Sequence, residues 1–154
     1  MQADLLSFGR SILDSQPFSA LLEARLDALA PGSAELRLPI VPRVLQQHGF
    51  VHGGALSYLA DNALTFAGGS VLGDCVTAEF KINYLRPARG PGTLLALAQV
   101  AGHGRQQAVC RCDIYVDAPA GRTLVAVAQG TISKRASGPA EGNGRAAASA
   151  DAAA

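Results

Sequence analysis

Apolar and polar positions along this chain repeat with two different periods. Residues 4–14 place Leu5, Leu6, Ile12 and Leu13 near one side of a 3.6-residue repeat, which predicts a short amphipathic N-terminal helix. Leu22, Ala24, Leu26 and Ala28 then alternate with Glu23, Arg25 and Asp27, and Ala34, Leu36 and Leu38 with Glu35 and Arg37. A period of two over 18–29 and 33–41, with the turn-forming Pro31-Gly32 between, predicts a hairpin with one wet face. Pro39 and Pro42 end it, and 43–52 reads as a loop. From Gly53 to about Gly68 the helical period returns through Leu56, Leu59, Ala60, Ala63, Leu64, Phe66 and Ala67. Four strand-like runs follow, at 75–85, 93–101, 107–117 and 122–133, separated by turn-rich pieces. In the first of them Val76, Ala78, Phe80, Ile82 and Tyr84 fall on one face, and Thr77, Glu79, Lys81 and Asn83 on the other.

The order is helix, two strands, one long helix, four strands. Strands joined by short turns pair antiparallel. Six such strands and one mainly apolar helix predict an α+β domain in which the sheet wraps the helix. The domain is expected over 1–136. Beyond Ser137 the chain is Gly, Ala, Pro, Ser and Asn with scattered charges, too poor in apolar side chains to build a core, so 137–154 is expected to be a disordered tail.

Composition narrows the function. With 154 residues the chain has the length of one domain. Thirteen basic against twelve acidic residues leave a net charge of +1, no excess with which to neutralise nucleic-acid phosphates. Only 16% of residues are charged, against ~25% in an average domain. So few charges spread over a small protein favour burial of part of its surface against further copies. Cys75, Cys110 and Cys112 form neither a disulfide framework nor a zinc pattern. The start, Met-Gln-Ala-Asp-Leu-Leu, lacks a basic region followed by an apolar run, and an intracellular (cytoplasmic), reduced protein is expected. The apolar stretch 53–73 holds Asp61, Asn62, Ser57 and five glycines, which argues against a membrane span.

Asp61 is the one formal charge between Arg43 and Asp74. A helix apolar nearly all round is buried on most sides, so this carboxylate lies on a helix that the sheet encloses. Ser57, Asp61 and Thr65, spaced four apart, form a narrow polar stripe. Burying an unpartnered carboxylate costs several kcal/mol. Position alone leaves two readings: an exposed edge of the helix or contact with a neighbouring chain, and a general base or nucleophile tuned by its surroundings.

The loop ahead of this helix, Gln46-Gln47-His48-Gly49-Phe50-Val51-His52-Gly53-Gly54, opens the helix on two glycines. The first amides of a helix have no internal partner and carry the positive end of its dipole. They suit an anion, or a carbonyl oxygen that becomes one. Eight residues separate Gly53 from Asp61, ~12 Å along a helix axis. One helix cannot bring both to the same small group of atoms, whereas two antiparallel copies can, so the spacing favours a site shared across a homodimer.

Residues 46–67, from Gln46 through His52-Gly53-Gly54 and Asp61 to Ala67, together with Thr77-Ala-Glu-Phe-Lys-Ile-Asn-Tyr-Leu-Arg-Pro-Ala-Arg-Gly90, resemble the signature of the hotdog-fold acyl-CoA thioesterases of the phenylacetate-pathway (PaaI) type. The resemblance runs in element order over about 15–135. It implies an antiparallel sheet around a central helix, dimers often paired into tetramers, and hydrolysis of an aryl or medium-chain acyl-CoA without metal or other cofactor. By position it makes Asp61 the base on water or the nucleophile, and Gly53 the amide that polarises the thioester carbonyl. Thr77 falls where the family places a water-positioning Ser or Thr. Gln46 stands where the family has Asn, keeping the amide on a longer arm. His52 and Gly54, on either side of Gly53, fall by position among the substrate-binding residues, the His serving loop structure more than proton transfer. Arg86, Arg89 and Lys134 are read either as solvated surface charge or as contacts to the CoA phosphates.

Two other functions share the fold: a hotdog hydratase or dehydratase, and a non-catalytic acyl-CoA-binding module. The first pairs a His with a carboxylate, but this helix supplies no His and the Phe-Pro-Gly loop of such enzymes is absent. His48 and His52 have the spacing of a zinc pair, yet a glycine lies between them and no third ligand follows, so no metal is expected.

Overall fold

The computed structural model describes residues 2–136; the expected tail at 137–154 lies outside the described residues. Helix α1 (Gln2–Asp14) and a short helix α2 (Pro17–Leu22) precede the hairpin β1 (Arg25–Ala30) and β2 (Ser33–Pro39). A single turn of 3-10 helix (Pro42–Val44) leads through the loop to α3 (Gly53–Leu72). Then come β3 (Cys75–Tyr84), β4 (Thr93–His103), β5 (Gln107–Ala118) and β6 (Gly121–Lys134). The six strands form one antiparallel sheet in the order β1-β2-β4-β5-β6-β3, and α3 packs across it from β2 to β3. The expected sheet wrapped on one long helix is present.

Helix α3 has no wet half. Leu59, Ala60, Ala63, Leu64 and Ala67 are fully enclosed and meet Leu36, Leu38, Leu94, Ala96, Ile114 and Ile132 from the sheet. Small residues on α3 let the sheet come close. A Cβ on Gly68 would lie 2.8 Å from Ile132 Cβ, inside contact distance.

Three expectations need correction. The strand expected to begin at residue 18 begins at Arg25, because 17–22 are helical. Pro17 stands at the start of that helix, where its missing N–H costs nothing, and Glu23 ends it in the left-handed region (φ 58°). Helix α2 is held by α3: Tyr58 donates to the buried Ser19 hydroxyl at 2.6 Å, and its ring meets Phe18 edge-on at 5.2 Å. Second, a bulge between Leu26 and Ala28 breaks the alternation of β1, so that Leu26 and Leu29 point inward and Ala28 does not follow Leu26.

The third correction matters most for function. Strand β3 pairs Thr77 with Ile132 but Glu79 with Thr131, so Ala78 is an inserted residue. Such a bulge moves the following side chains to the opposite face. Phe80 and Ile82 face the helix as their period predicts. Ahead of the bulge the faces are exchanged: Val76 is 50% exposed, and Thr77 turns toward α3.

The two rims of the sheet differ. Along β1, α1 packs close enough that a Cβ on Gly9 would lie 2.7 Å from both Leu26 Cδ2 and Leu29 Cδ2, and Arg10 Nε donates to the Leu26 carbonyl at 2.9 Å. Strand β3 pairs with β6 on one side, and no described strand pairs with its other side. Val76, Tyr84 and Leu85 are apolar or aromatic side chains exposed on or beside it. Among the described residues no helix is long and apolar enough to cross a membrane.

Candidate active site

Asp61 lies in the middle of α3, half-buried, where the helix passes under β3. Its Oδ1 accepts from Thr77 Oγ1 at 2.6 Å. Thr65, one turn further along α3, has its hydroxyl 2.7 Å from that of Thr77 and donates to the Asp61 carbonyl at 2.8 Å. One carboxylate oxygen is thus held by the Thr77 hydroxyl, with the Thr65 hydroxyl packed beside it. Bonds of this charge-assisted kind are about twice as strong as neutral ones. Thr77 reaches Asp61 because of the bulge; an unbroken strand would turn its side chain to the outer face.

The start of α3 is the second element. His52 is its N-cap, in extended conformation, and its Nδ1 accepts from the Gly54 amide at 2.9 Å. One of the two glycine amides expected to be bare is therefore occupied. The Gly53 amide, one residue earlier, makes no hydrogen bond to any described residue. Tyr84, the last residue of β3, closes over this turn. Its hydroxyl donates to the Gly53 carbonyl at 3.0 Å and stands 2.7 Å from Ser57 Oγ. A Cβ at position 53 would lie 3.2 Å from that oxygen, so glycine leaves room for the tyrosine as well as for a ligand. Tyr84 is a functional candidate that motif reading passes over. Its signal was its place as the last inward position of the β3 alternation, level with the helix start.

Gln46 is engaged within the loop itself. Its backbone and side chain both organise the loop: the amide donates to the Phe50 carbonyl at 2.8 Å, and Oε1 accepts from the His48 amide. The loop is pinned to the segment after β3, since the Val51 amide donates to the carbonyl of buried Ala88 at 2.9 Å. That bond sets Arg89 over the Phe50 ring, guanidinium carbon 3.8 Å from the centroid, beside the loop that carries His52 and Gly53. Arg86 is exposed in the same segment. Lys134 does not join them within one protomer. It pairs with Cys75 at the opposite end of β3 from Tyr84, nine residues or ~30 Å away along the strand.

The cysteines are placed as small apolar residues. Cys110 and Cys112 are buried on one face of β5, and burial pushes their thiols up to about 11 and about 12. The Cys75 thiol is likewise raised by burial. None has the lowered value of a cysteine nucleophile. Among the described residues no three or more His, Cys, Asp or Glu side chains gather as a metal would require.

A curled antiparallel sheet on a single long helix, with a carboxylate on that helix and a glycine-opened N-terminus, defines a hotdog-fold protein of the thioesterase kind. The Thioesterase superfamily matches residues 48–122, which run from the loop to the start of β6. The acyl-coenzyme A thioesterase PaaI of Escherichia coli is 35% identical over 83 residues, 54% of this chain, and the matched part spans 59% of that protein's length. The putative esterase ComA2 of Bacillus subtilis is 34% identical over 103 residues, covering 62% of this chain and 80% of that one. Among solved structures, a thioesterase family protein from Silicibacter pomeroyi superposes with a TM-score of 0.79 at 32% identity, covering 84% of this chain and 96% of that one. The phenylacetic acid degradation protein PaaI of Thermus thermophilus superposes with a TM-score of 0.71 at 30% identity, over 78% of this chain and all of the other. The chain belongs to the thioesterase superfamily.

Proposed function

We propose that this protein hydrolyses acyl-CoA thioesters in a site shared by two antiparallel copies, with Asp61 as the base or nucleophile and the Gly53 amide of the opposite copy as the donor to the thioester oxygen. The observation that carries this reading is the bulge that turns Thr77 into the carboxylate of Asp61, together with the free Gly53 amide. A strand irregularity that re-aims one hydroxyl onto the one charge of a buried helix has a chemical use and no evident packing use.

The two elements stand eight residues apart on one helix, ~12 Å along its axis. A second copy added along the open side of β3 would run antiparallel to the first and bring the start of its α3 toward Asp61. The exposed apolar side chains on and beside β3 favour such an addition. The thioester oxygen then accepts from the Gly53 amide, and one such donor is typically worth ~10²–10³ in rate. Asp61 removes a proton from the attacking water, or attacks the carbonyl carbon itself and is released by water, and CoA leaves as the thiol. Thr77 holds one oxygen of the carboxylate so that the other faces the reacting carbon. Arg86 and Arg89, beside the Gly53 loop, bind the CoA phosphates.

The direct test is Asp61→Asn assayed by thiol release from a panel of acyl-CoAs. A fall in kcat of at least ~10² with the fold retained is expected for loss of a base. Hydrolysis at the native rate by this variant would refute the mechanism. Enoyl-CoA hydration, followed in the ultraviolet, separates the hydratase function, and tight CoA binding without thiol release separates the binding module.

A further inference from the structure

A cavity of about 480 Å³ lies between α1 and α3. Leu5, Phe8 and Ile12 of α1, Leu29 of β1 and Phe66 of α3 wall it. Asn62 and Thr65 line it on the side nearest Asp61. Thr65 therefore belongs to two places at once, the wall of this cavity and the flank of the Thr77 hydroxyl that holds the carboxylate. The lining follows α3 from Asn62 to Ser70, ~12 Å of helix axis. Its one charged residue, Asp74, is ion-paired with Arg135 at 2.7 Å. Phe8 is 63% and Ile12 39% exposed around the opening, which is unusual for apolar side chains on a docked helix.

We propose that this cavity takes the acyl group of the substrate, and that its class is a straight medium-length chain. The proposal rests on the thioesterase reading and adds the substrate to it. A chain whose thioester carbonyl stands at Asp61 passes Thr65 directly into the slot. The walls offer no free charge, and of their uncharged polar side chains Gln16 and Ser70 are engaged with Ser19 and the Ala67 carbonyl, so the mostly apolar lining suits an apolar ligand. The extent along α3 fits an elongated chain better than a compact ring. Helix α1 thereby sets the acyl specificity, with Ile12 and Phe8 as the residues that grip the chain.

Two measurements test this. The chain has no tryptophan, so Phe8→Trp introduces a single tryptophan, excited apart from the three tyrosines, at the opening. Titration with an ω-bromo medium-chain fatty acid is expected to quench it saturably, with competition by decanoate and none by acetate. Separately, Ile12→Trp narrows the slot. It is expected to lower the ratio of kcat/KM for decanoyl-CoA over acetyl-CoA at least ~10-fold, since a pocket discriminates about tenfold or more per methylene it loses room for. No saturable quenching together with an unchanged ratio overturns the cavity assignment while leaving a thioesterase that hydrolyses acyl-CoA intact. Saturable quenching in a wild-type protein that hydrolyses no acyl-CoA keeps the cavity and refutes the activity. A fall for phenylacetyl-CoA without one for decanoyl-CoA overturns the straight-chain class. Should Ile12→Trp fail to fold, the Phe8→Trp titration decides alone.

Discussion

Thr77 donates to Asp61 across 2.6 Å, joining a strand at the rim of the sheet to the middle of the central helix. The two residues are sixteen apart in sequence, and the contact exists only because Ala78 is an extra residue in β3. Thr77→Val keeps the shape and removes the hydroxyl. The expected result is a fall in kcat on the order of 10–100-fold, the scale of a small misplacement of a reacting group, with KM little changed. Steady-state kinetics with a good acyl-CoA substrate checks it, and a kcat equal to wild type would remove Thr77 from the machinery.

Arg86 and Arg89 sit beside the loop that leads into α3, Arg89 stacked on Phe50. If they bind phosphates, Arg86→Ala and Arg89→Ala each raise KM for acyl-CoA about tenfold, the worth of one charge-assisted bond. The same variants leave hydrolysis of an acyl thioester of N-acetylcysteamine, which has no phosphate, near its original KM. Equal effects on both substrates would mean that the arginines hold the loop, and not the nucleotide.

Much of the architecture was legible from periodicity, because hydrophobic spacing reports which face of an element is buried. Helix α3 and the β2, β4, β5 and β6 strands follow their patterns within a few residues. What stayed hidden depends on inserted residues. A bulge changes no composition, yet it exchanges the faces on its two sides, and so the alternation of β3 placed Thr77 on the wet side. Helix α2 was missed because its Leu22 continues the alternation of β1, while its stability comes from Tyr58 and Phe18, a contact made across the fold. The motif around Asp61 and Gly53 was readable, since glycines and a lone charge in apolar surroundings are conspicuous. Tyr84 was not, because its role depends on where β3 ends relative to the start of α3.

Gly68 allows the closest approach of helix to sheet. In Gly68→Ala the new methyl would press on Ile132 Cβ at 2.8 Å, with Cγ1 and Cγ2 both at 2.9 Å. Overpacking of this kind typically costs about 1–3 kcal/mol and outweighs the helix propensity gained. Urea denaturation should show a lower midpoint at unchanged slope.

On the outer face of the sheet Arg37 bridges Asp27 and Asp117, at 2.7 and 2.6 Å, and Arg122 adds to Asp117 at 3.2 Å. The bond from Arg37 is the main cause that holds the Asp117 carboxyl below its ordinary range. A carboxyl lowered in the folded state stabilises the fold at pH above its unfolded value of ~3.9 and loses that contribution as the pH falls through its folded value. Wild type is therefore expected to melt above Asp117→Asn at pH 6–7, with the gap narrowing as the pH falls below about 4. Melting curves of both proteins from pH 7 to pH 3 check this, and a gap as wide at pH 3 as at pH 7 would contradict it.

The hydrogen bond from Arg10 to the Leu26 carbonyl occupies a backbone acceptor of β1, and α1 packs beside it, whereas among the described residues the outer side of β3 carries no such helix. A molecule with a single sticky seam can accept one mate by strand addition and no more. Under the pairing proposed through β3, strand addition would therefore end at two copies, and an arginine with the helix that carries it would stand between this chain and a filament.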